Sequence, residues 1–194
     1  ATTTTQYEHI AHRLYAMVRR APRPVGRGAL LLLTGMIRGE SFGRDMTFPY
    51  FARTLRIIAK SCDEEFGLIA VSALGGVFGD KRISRAAHEL ADIVCADITP
   101  ERVAMAAVKR LEDALIPERT PKVFDRVPVL DALGFMLRFS NNAGIRHEIL
   151  AVFRRFLIKR RPDWGYLSAA LSLSNMVRDL PDDKSAAFEA VRIL

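Results

Sequence analysis

The sequence predicts an all-α protein: an irregular α-α repeat, a solenoid-like stack of about ten helices joined by short turns. Three observations point there. Apolar residues recur with period 3.6 through most of the chain, and no run alternates with the period 2 of a strand. Turn signals cut that pattern into segments of about 12 to 18 residues, the ordinary length of a globular helix. Helix starts near Gly28, Glu64 and Pro100 are each 36 residues apart, room for two helices and two turns. A non-repeating helical bundle is the alternative that the same periodicity allows.

The elements follow in order. In the first helix Tyr7, Ile10, Ala11, Leu14, Met17 and Val18 share a face, Arg13 and Arg20 lie elsewhere, and Pro22 and Pro24 end it. Arg19 to Arg27, interrupted by Pro22, Pro24 and Gly26, reads as an extended basic connector. Residues 1–27 thus form an N-terminal helix with its connector, and residues 28–194 a helical-repeat domain. A second helix covers Gly28 to Arg38, and Gly39 to Asp45 reads as a loop. The third runs from Met46 to Ser61 and begins near Pro49. Asp63 is placed to cap the fourth, Glu64 to Phe78, which Gly79-Asp80 closes.

Ile83, Ala86, Ala87, Leu90 and Val94 form the buried face of the fifth helix. Thr99-Pro100-Glu101 starts the sixth, with Thr as cap, Pro in the first turn and Glu against the dipole. Pro121 to Ser140 is helical but interrupted by Pro128, which predicts a kink or a short helix before a longer one. Asn141-Asn142 turns and caps the eighth helix, Ala143 to Lys159, which buries Ile145, Ile149, Val152, Phe153, Phe156 and Leu157. A ninth spans Asp163 to Asp179, and Pro181-Asp182 starts the last. A short word also recurs: Val71-Ser72-Ala73-Leu74-Gly75, Leu130-Asp131-Ala132-Leu133-Gly134 and, degenerate, Leu167-Ser168-Ala169-Ala170-Leu171. Small residues inside such helices let a neighbour approach closely.

Composition excludes several classes. With 49% hydrophobic and 26% charged residues the chain is neither disordered nor collagen-like. Two cysteines, Cys62 and Cys95, cannot build a secreted disulfide framework, so a reducing compartment is expected. Residue 1 is Ala, which leads us to expect an initiator Met, a targeting peptide or a longer N-terminal region before it. Phe66 to Gly79, the longest uncharged stretch, is 14 residues against the roughly 20 that span a bilayer. A soluble chain without a membrane span is expected.

No reaction is specified. His9 and His12 share a helix face, but no third metal ligand is visible. Cys62 and Cys95 stand without a CxxC pair, and His88 and Cys95 are two turns apart, too far for nucleophile activation. Gly75-Gly76-Val77-Phe78-Gly79-Asp80-Lys81 is not a phosphate loop, because Asp80 separates the Gly from the Lys and a helix precedes it. Glu112-Asp113 and Asp182-Asp183 read as solvated or capping carboxylates. Catalytic residues, metals and cofactors are therefore not expected, and an enzyme built from scattered residues is the weakest reading.

Charge carries more information. Lys and Arg number 29 against 22 acidic residues, a net charge of +7. Residues 1–27 contribute +4 through Arg13, Arg19, Arg20, Arg23 and Arg27 against Glu8. Residues 143–161 contribute +5 through Arg146, Arg154, Arg155, Lys159, Arg160 and Arg161 against Glu148, so the remaining chain sums to −2. Cations at a helix C-terminus account for Lys159-Arg160-Arg161 through the dipole, but not for Arg154 and Arg155. Guanidinium groups suit phosphate through a planar fork. The candidate phosphate-binding residues are Arg19, Arg20, Arg23, Arg27, Arg154, Arg155, Lys159, Arg160 and Arg161. Trp164 and Tyr166 lie just beyond the second cluster, as packing residues or as platforms for an unpaired base.

The small-residue helices, as in Leu130 to Gly134 followed by a turn and a second amphipathic helix, resemble organellar helical-repeat proteins. That group includes the repeats preceding RAP domains and the octotricopeptide and pentatricopeptide arrays, and the resemblance extends over roughly Gly28 to Leu194. It implies RNA binding or ribonucleoprotein scaffolding in a mitochondrion or chloroplast. The chain departs from the group in showing neither a pentatricopeptide consensus nor a terminal RAP domain, so no base-reading positions carry over. The expectation is a non-catalytic structural subunit of a ribonucleoprotein in the mitochondrial matrix, most concretely a ribosomal protein. Its partners would be RNA, through the phosphates of ribosomal RNA, and neighbouring protein subunits. The alternative is a protein-only scaffold or assembly subunit of a mitochondrial complex, whose Arg clusters meet acidic proteins or lipid headgroups.

Overall fold

Proline placement organises the start of the chain. Pro22 stands in the cap position and Pro24 in the first turn of the helix that follows, where a missing N–H costs nothing. The expected extended connector from Arg19 to Arg27 is therefore absent. In the computed structural model α1 (Thr4–Arg20) turns through Ala21-Pro22 directly into α2 (Arg23–Arg38). Pro49 and Pro128 likewise sit in the first turns of α3 (Phe48–Ser61) and α7 (Val127–Phe139). Pro128 thus begins its helix rather than kinking it. The other helices are α4 (Glu64–Gly75), α5 (Ile83–Val94), α6 (Glu101–Ala114), α8 (Ala143–Ile158), α9 (Trp164–Asp179) and α10 (Lys184–Ile193). The structure describes residues 4–39, 47–78, 82–116, 126–158, 164–179 and 184–193, and within them the regular structure is helical throughout.

Caps set several boundaries. The Asp63 carboxylate accepts from Phe66 N at 2.9 Å and starts α4, and Asn142 Oδ1 accepts from Ile145 N at 3.2 Å at the start of α8. Thr99 does not cap α6. Its hydroxyl donates back to Ile93 O at 2.7 Å, closing α5, while Pro100 takes the cap position of α6. The recurring word does place small residues at close contacts. A methyl on Gly134 of α7 would lie 2.7 Å from Ser172 Cβ of α9, and one on Gly75 of α4 would lie 2.9 Å from Arg110 Cδ of α6.

The helices pack in two layers. α1, α3, α5, α7 and α9 touch in that order, as do α2, α4, α6, α8 and α10, and each odd helix also packs on the even helix after it. One core runs through both layers, with Phe51, Leu55, Leu90, Leu130 and Phe153 almost fully buried. Burial of each such side chain contributes about 1.5 to 3 kcal/mol. Met17, expected on the buried face of α1, is 41% exposed, while Ala11, Leu14 and Val18 of that face are buried.

Successive hairpins bring their turns to one edge. Arg23 of α2 and Arg102 of α6 reach Glu65 and Glu64 at the start of α4, and Asn141 Nδ2 donates to Asp97 Oδ1 at 2.9 Å. At the opposite edge Arg82 Nη1 donates to Ile37 O at 2.8 Å. Among the described residues Glu89 and Arg126 are the buried charged side chains. The Glu89 carboxylate of α5 has no exposed side-chain surface and lies 3.2 Å from Arg56 Nε and 2.6 Å from Arg85 Nη2. These contacts pair charge in distance without aligning as hydrogen bonds. No described helix is long and apolar enough to cross a membrane.

Candidate nucleic-acid interface

The first arginine cluster occupies the corner between α1 and α2. Arg19 and Arg20 lie in the last turn of α1, exposed, where cations complement the carbonyl end of the helix. Arg23 and Arg27 follow one helical turn apart at the start of α2, the end where the dipole disfavours positive charge. Glu65 of α4 offsets that cost: Arg23 Nη2 donates to Glu65 Oε2, and Arg27 Nη1 lies 3.9 Å from Oε1. Among the described residues Arg19 and Arg20 make no ion pair, and Arg23 and Arg27 share one carboxylate. The corner therefore keeps a surplus of positive charge.

The second cluster divides. Arg155, half-exposed on α8, donates from Nε to Glu112 Oε1 of α6 and from Nη2 to Glu148 Oε1, each at 2.8 Å. Both faces of its fork are thus committed inside the chain. Burial by itself would raise the Glu112 carboxyl, but the hydrogen bond from Lys109 and the charge of Arg155 outweigh it and hold the group below its ordinary range. Arg154, the next residue, has no such partner among the described residues and lines a cleft between α8 and α10. Lys159, Arg160 and Arg161 lie outside the described residues, as does the side chain of Trp164. Tyr166 is partly buried against the core.

Among the described residues the fold does not bring Arg154 and Arg155 to the first cluster. α1 and α2 pack on α3 and α4, whereas α8 packs on α6, α7, α9 and α10. Any anion spanning both must run along the stack. Two members of the second surface escaped sequence reading: Arg192 and Phe188 of α10 line the cleft with Arg154. The available signal was the helical spacing of Ser185, Phe188 and Arg192 on one exposed face, too short a pattern to separate from an ordinary amphipathic helix.

The other chemistry-bearing residues are placed as follows. Among the described residues no group of three or more His, Cys, Asp or Glu side chains could hold a metal ion. His12 lines a cleft of about 230 Å³ between α1 and α3 with Glu8, Tyr15, Tyr50 and Arg53. Both cysteines are free and half-buried. Burial raises the Cys62 thiol, and burial followed by the charge of Asp92 pushes Cys95 up to about 12, so both are protonated at neutral pH. His88 faces the ring of Phe135 at 6.5 Å rather than a thiol.

No protein family and no curated sequence matches the chain. Solved structures do match in shape, among them the crystal structure of an engineered protein. It is 16% identical over 94% of this chain and 77% of that one, with a TM-score of 0.44.

Proposed function

We propose that the chain is a non-catalytic structural subunit of a ribonucleoprotein that holds RNA by its phosphates, with a mitochondrial ribosome as the concrete setting. The observation that carries this reading is the α1–α2 corner, where four exposed arginines are answered by the single carboxylate of Glu65. Guanidinium groups so arranged neutralise phosphates without reading sequence. Arg19, Arg20, Arg23, Arg27 and Arg154 act in this way, with Lys159, Arg160 and Arg161 extending the second cluster. Arg155 is reassigned to holding α8 on α6. The matrix location rests on the resemblance to organellar helical-repeat proteins and on the basic charge.

A protein-only scaffold is the second reading, and the outer face of α2 favours it. Val25, Leu31 and Leu32 are 45%, 56% and 59% exposed there, and among the described residues nothing lies within 4 Å of a methyl placed on the intervening Gly28 or the following Gly35. Such a face suits a protein neighbour better than an RNA backbone. The deciding experiment purifies the native protein at gentle salt and follows its sedimentation with and without ribonuclease. A large particle dispersed by ribonuclease or high salt is expected. A ribonuclease-resistant complex establishes the scaffold in its place.

A further inference from the structure

The cleft between α8 and α10 has a volume of about 270 Å³ and is lined by Arg154, Ser185, Phe188, Glu189, Arg192 and Ile193. That is close to the lower end of the roughly 300–1,000 Å³ of small-ligand sites, room for one planar group and its charge rather than for a helix. Arg154 and Arg192 make no ion pair among the described residues. Glu189 is the one carboxylate among the described lining residues, so two guanidiniums outweigh it. Phe188 is 68% exposed, an aromatic face left to water beside two cations.

We infer that this cleft holds one unpaired nucleotide of an RNA strand, its phosphate on Arg154 and Arg192 and its base stacked on Phe188. The inference rests on the phosphate-binding reading above and adds to it a site that distinguishes single strands from duplex. Each component has its counterpart. The guanidinium forks donate to phosphate oxygens, the Ser185 hydroxyl supplies a neutral donor, and the exposed ring offers a π-face that any base can cover. A paired base keeps both faces inside its helix and cannot use Phe188. An acidic peptide could satisfy the arginines, but it would leave the ring without a planar partner.

The test measures binding of the purified full chain to a short labelled oligoadenylate and to a blunt RNA duplex of the same length. Phe188→Ala should weaken oligoadenylate binding about tenfold and leave duplex binding unchanged, since stacking is worth a factor of that order per base. Phe188→Trp should restore single-strand affinity. Arg154→Ala combined with Arg192→Ala should weaken oligoadenylate binding and flatten its salt dependence by about 0.7 in log–log slope, one phosphate's share. Phe188 is exposed, so its truncation opens no core, and circular dichroism of each variant verifies the fold. If both RNAs bind and Phe188→Ala changes neither, the nucleotide cleft is overturned while the phosphate reading stands. If neither RNA binds the wild-type chain at low salt, both fall. Displacement of oligoadenylate by an acidic peptide of equal charge as readily as by unlabelled oligoadenylate also overturns the cleft.

Discussion

Arg155 of α8 donates through Nε to Glu112 Oε1 of α6 at 2.8 Å, and with its Nη2 on Glu148 it ties two neighbouring helices of one layer together. Its neighbour Arg154 makes no ion pair among the described residues and faces the α8–α10 cleft. Adjacent residues of the same type thus do different work. The prediction is a clean separation. Arg155→Ala should lower the thermal midpoint by a few degrees, reflecting about 0.5 to 1 kcal/mol for a half-exposed bridge, with RNA affinity unchanged. Arg154→Ala should weaken RNA binding and leave the midpoint where it was. Thermal melts and RNA titrations on the two variants check both halves.

The same bridge predicts a pH dependence. The Glu112 carboxyl titrates lower in the folded protein than in the unfolded chain, where it ionises near 4.5. The unfolded state therefore binds more protons in that window, and stability rises with pH through it. The contribution is fully present above the unfolded value and is lost as pH falls through the lower, folded one. Urea midpoints of wild type and Glu112→Gln, taken from neutral pH to about pH 3, should differ most at neutral pH. The gap should close on acidification. A constant gap would show that Glu112 stabilises by packing rather than by charge.

Close approach between α7 and α9 gives a third prediction. A methyl added at Gly134 would lie 2.4 Å from Ser172 Oγ and 2.7 Å from Ser172 Cβ. Rotation moves the oxygen but not the β-carbon, so the two helices must separate. Nearby, Ser168 Oγ donates to Asp131 Oδ1 at 2.6 Å and holds the same pair in register. Gly134→Ala should destabilise the protein by about 1 to 3 kcal/mol, outweighing the gain in helix propensity. Gly134→Ala with Ser172→Gly should recover much of the loss, and denaturant titration of the single and double variants measures it.

Helix identity was legible because burial imposes a period. Ile83, Ala86, Ala87, Leu90 and Val94, and likewise Ile145, Ile149, Val152, Phe153, Phe156 and Leu157, occupy the inward faces their spacing predicts. Prolines were harder, since Pro24 and Pro128 break a helix from within yet start one from its first turn, and spacing alone does not say which. The recurring word held more than it first showed. Asp131 and Ser168 are second residues of two of its copies and bond to each other, while Ser72, second in the remaining copy, accepts from Arg110 Nη2 at 3.0 Å. The candidate site was legible only as charge. Which guanidinium meets a carboxylate depends on tertiary neighbours such as Glu65 and Glu112, which are 42 and 43 residues from Arg23 and Arg155.

Glu65 supplies the sharpest test of the arginine corner. It holds Arg23 and Arg27 at a helix N-terminus that would otherwise repel them, and in doing so it competes with any phosphate for the same two forks. If the corner binds RNA, Glu65→Gln removes the internal competitor and keeps the side chain's volume. RNA affinity should rise severalfold, and the salt slope for single strands should steepen by about 0.7 for each phosphate gained. Stability should fall by less than about 1 kcal/mol, because both ion pairs are exposed. Arg19→Gln with Arg20→Gln should act in the opposite direction, weakening RNA binding and flattening the slope. The Glu65 result separates phosphate contact from a mere surplus of charge. A gain in affinity without a change in slope would mean that Arg23 and Arg27 never reach the backbone, and the corner would then serve only to join α2 to α4.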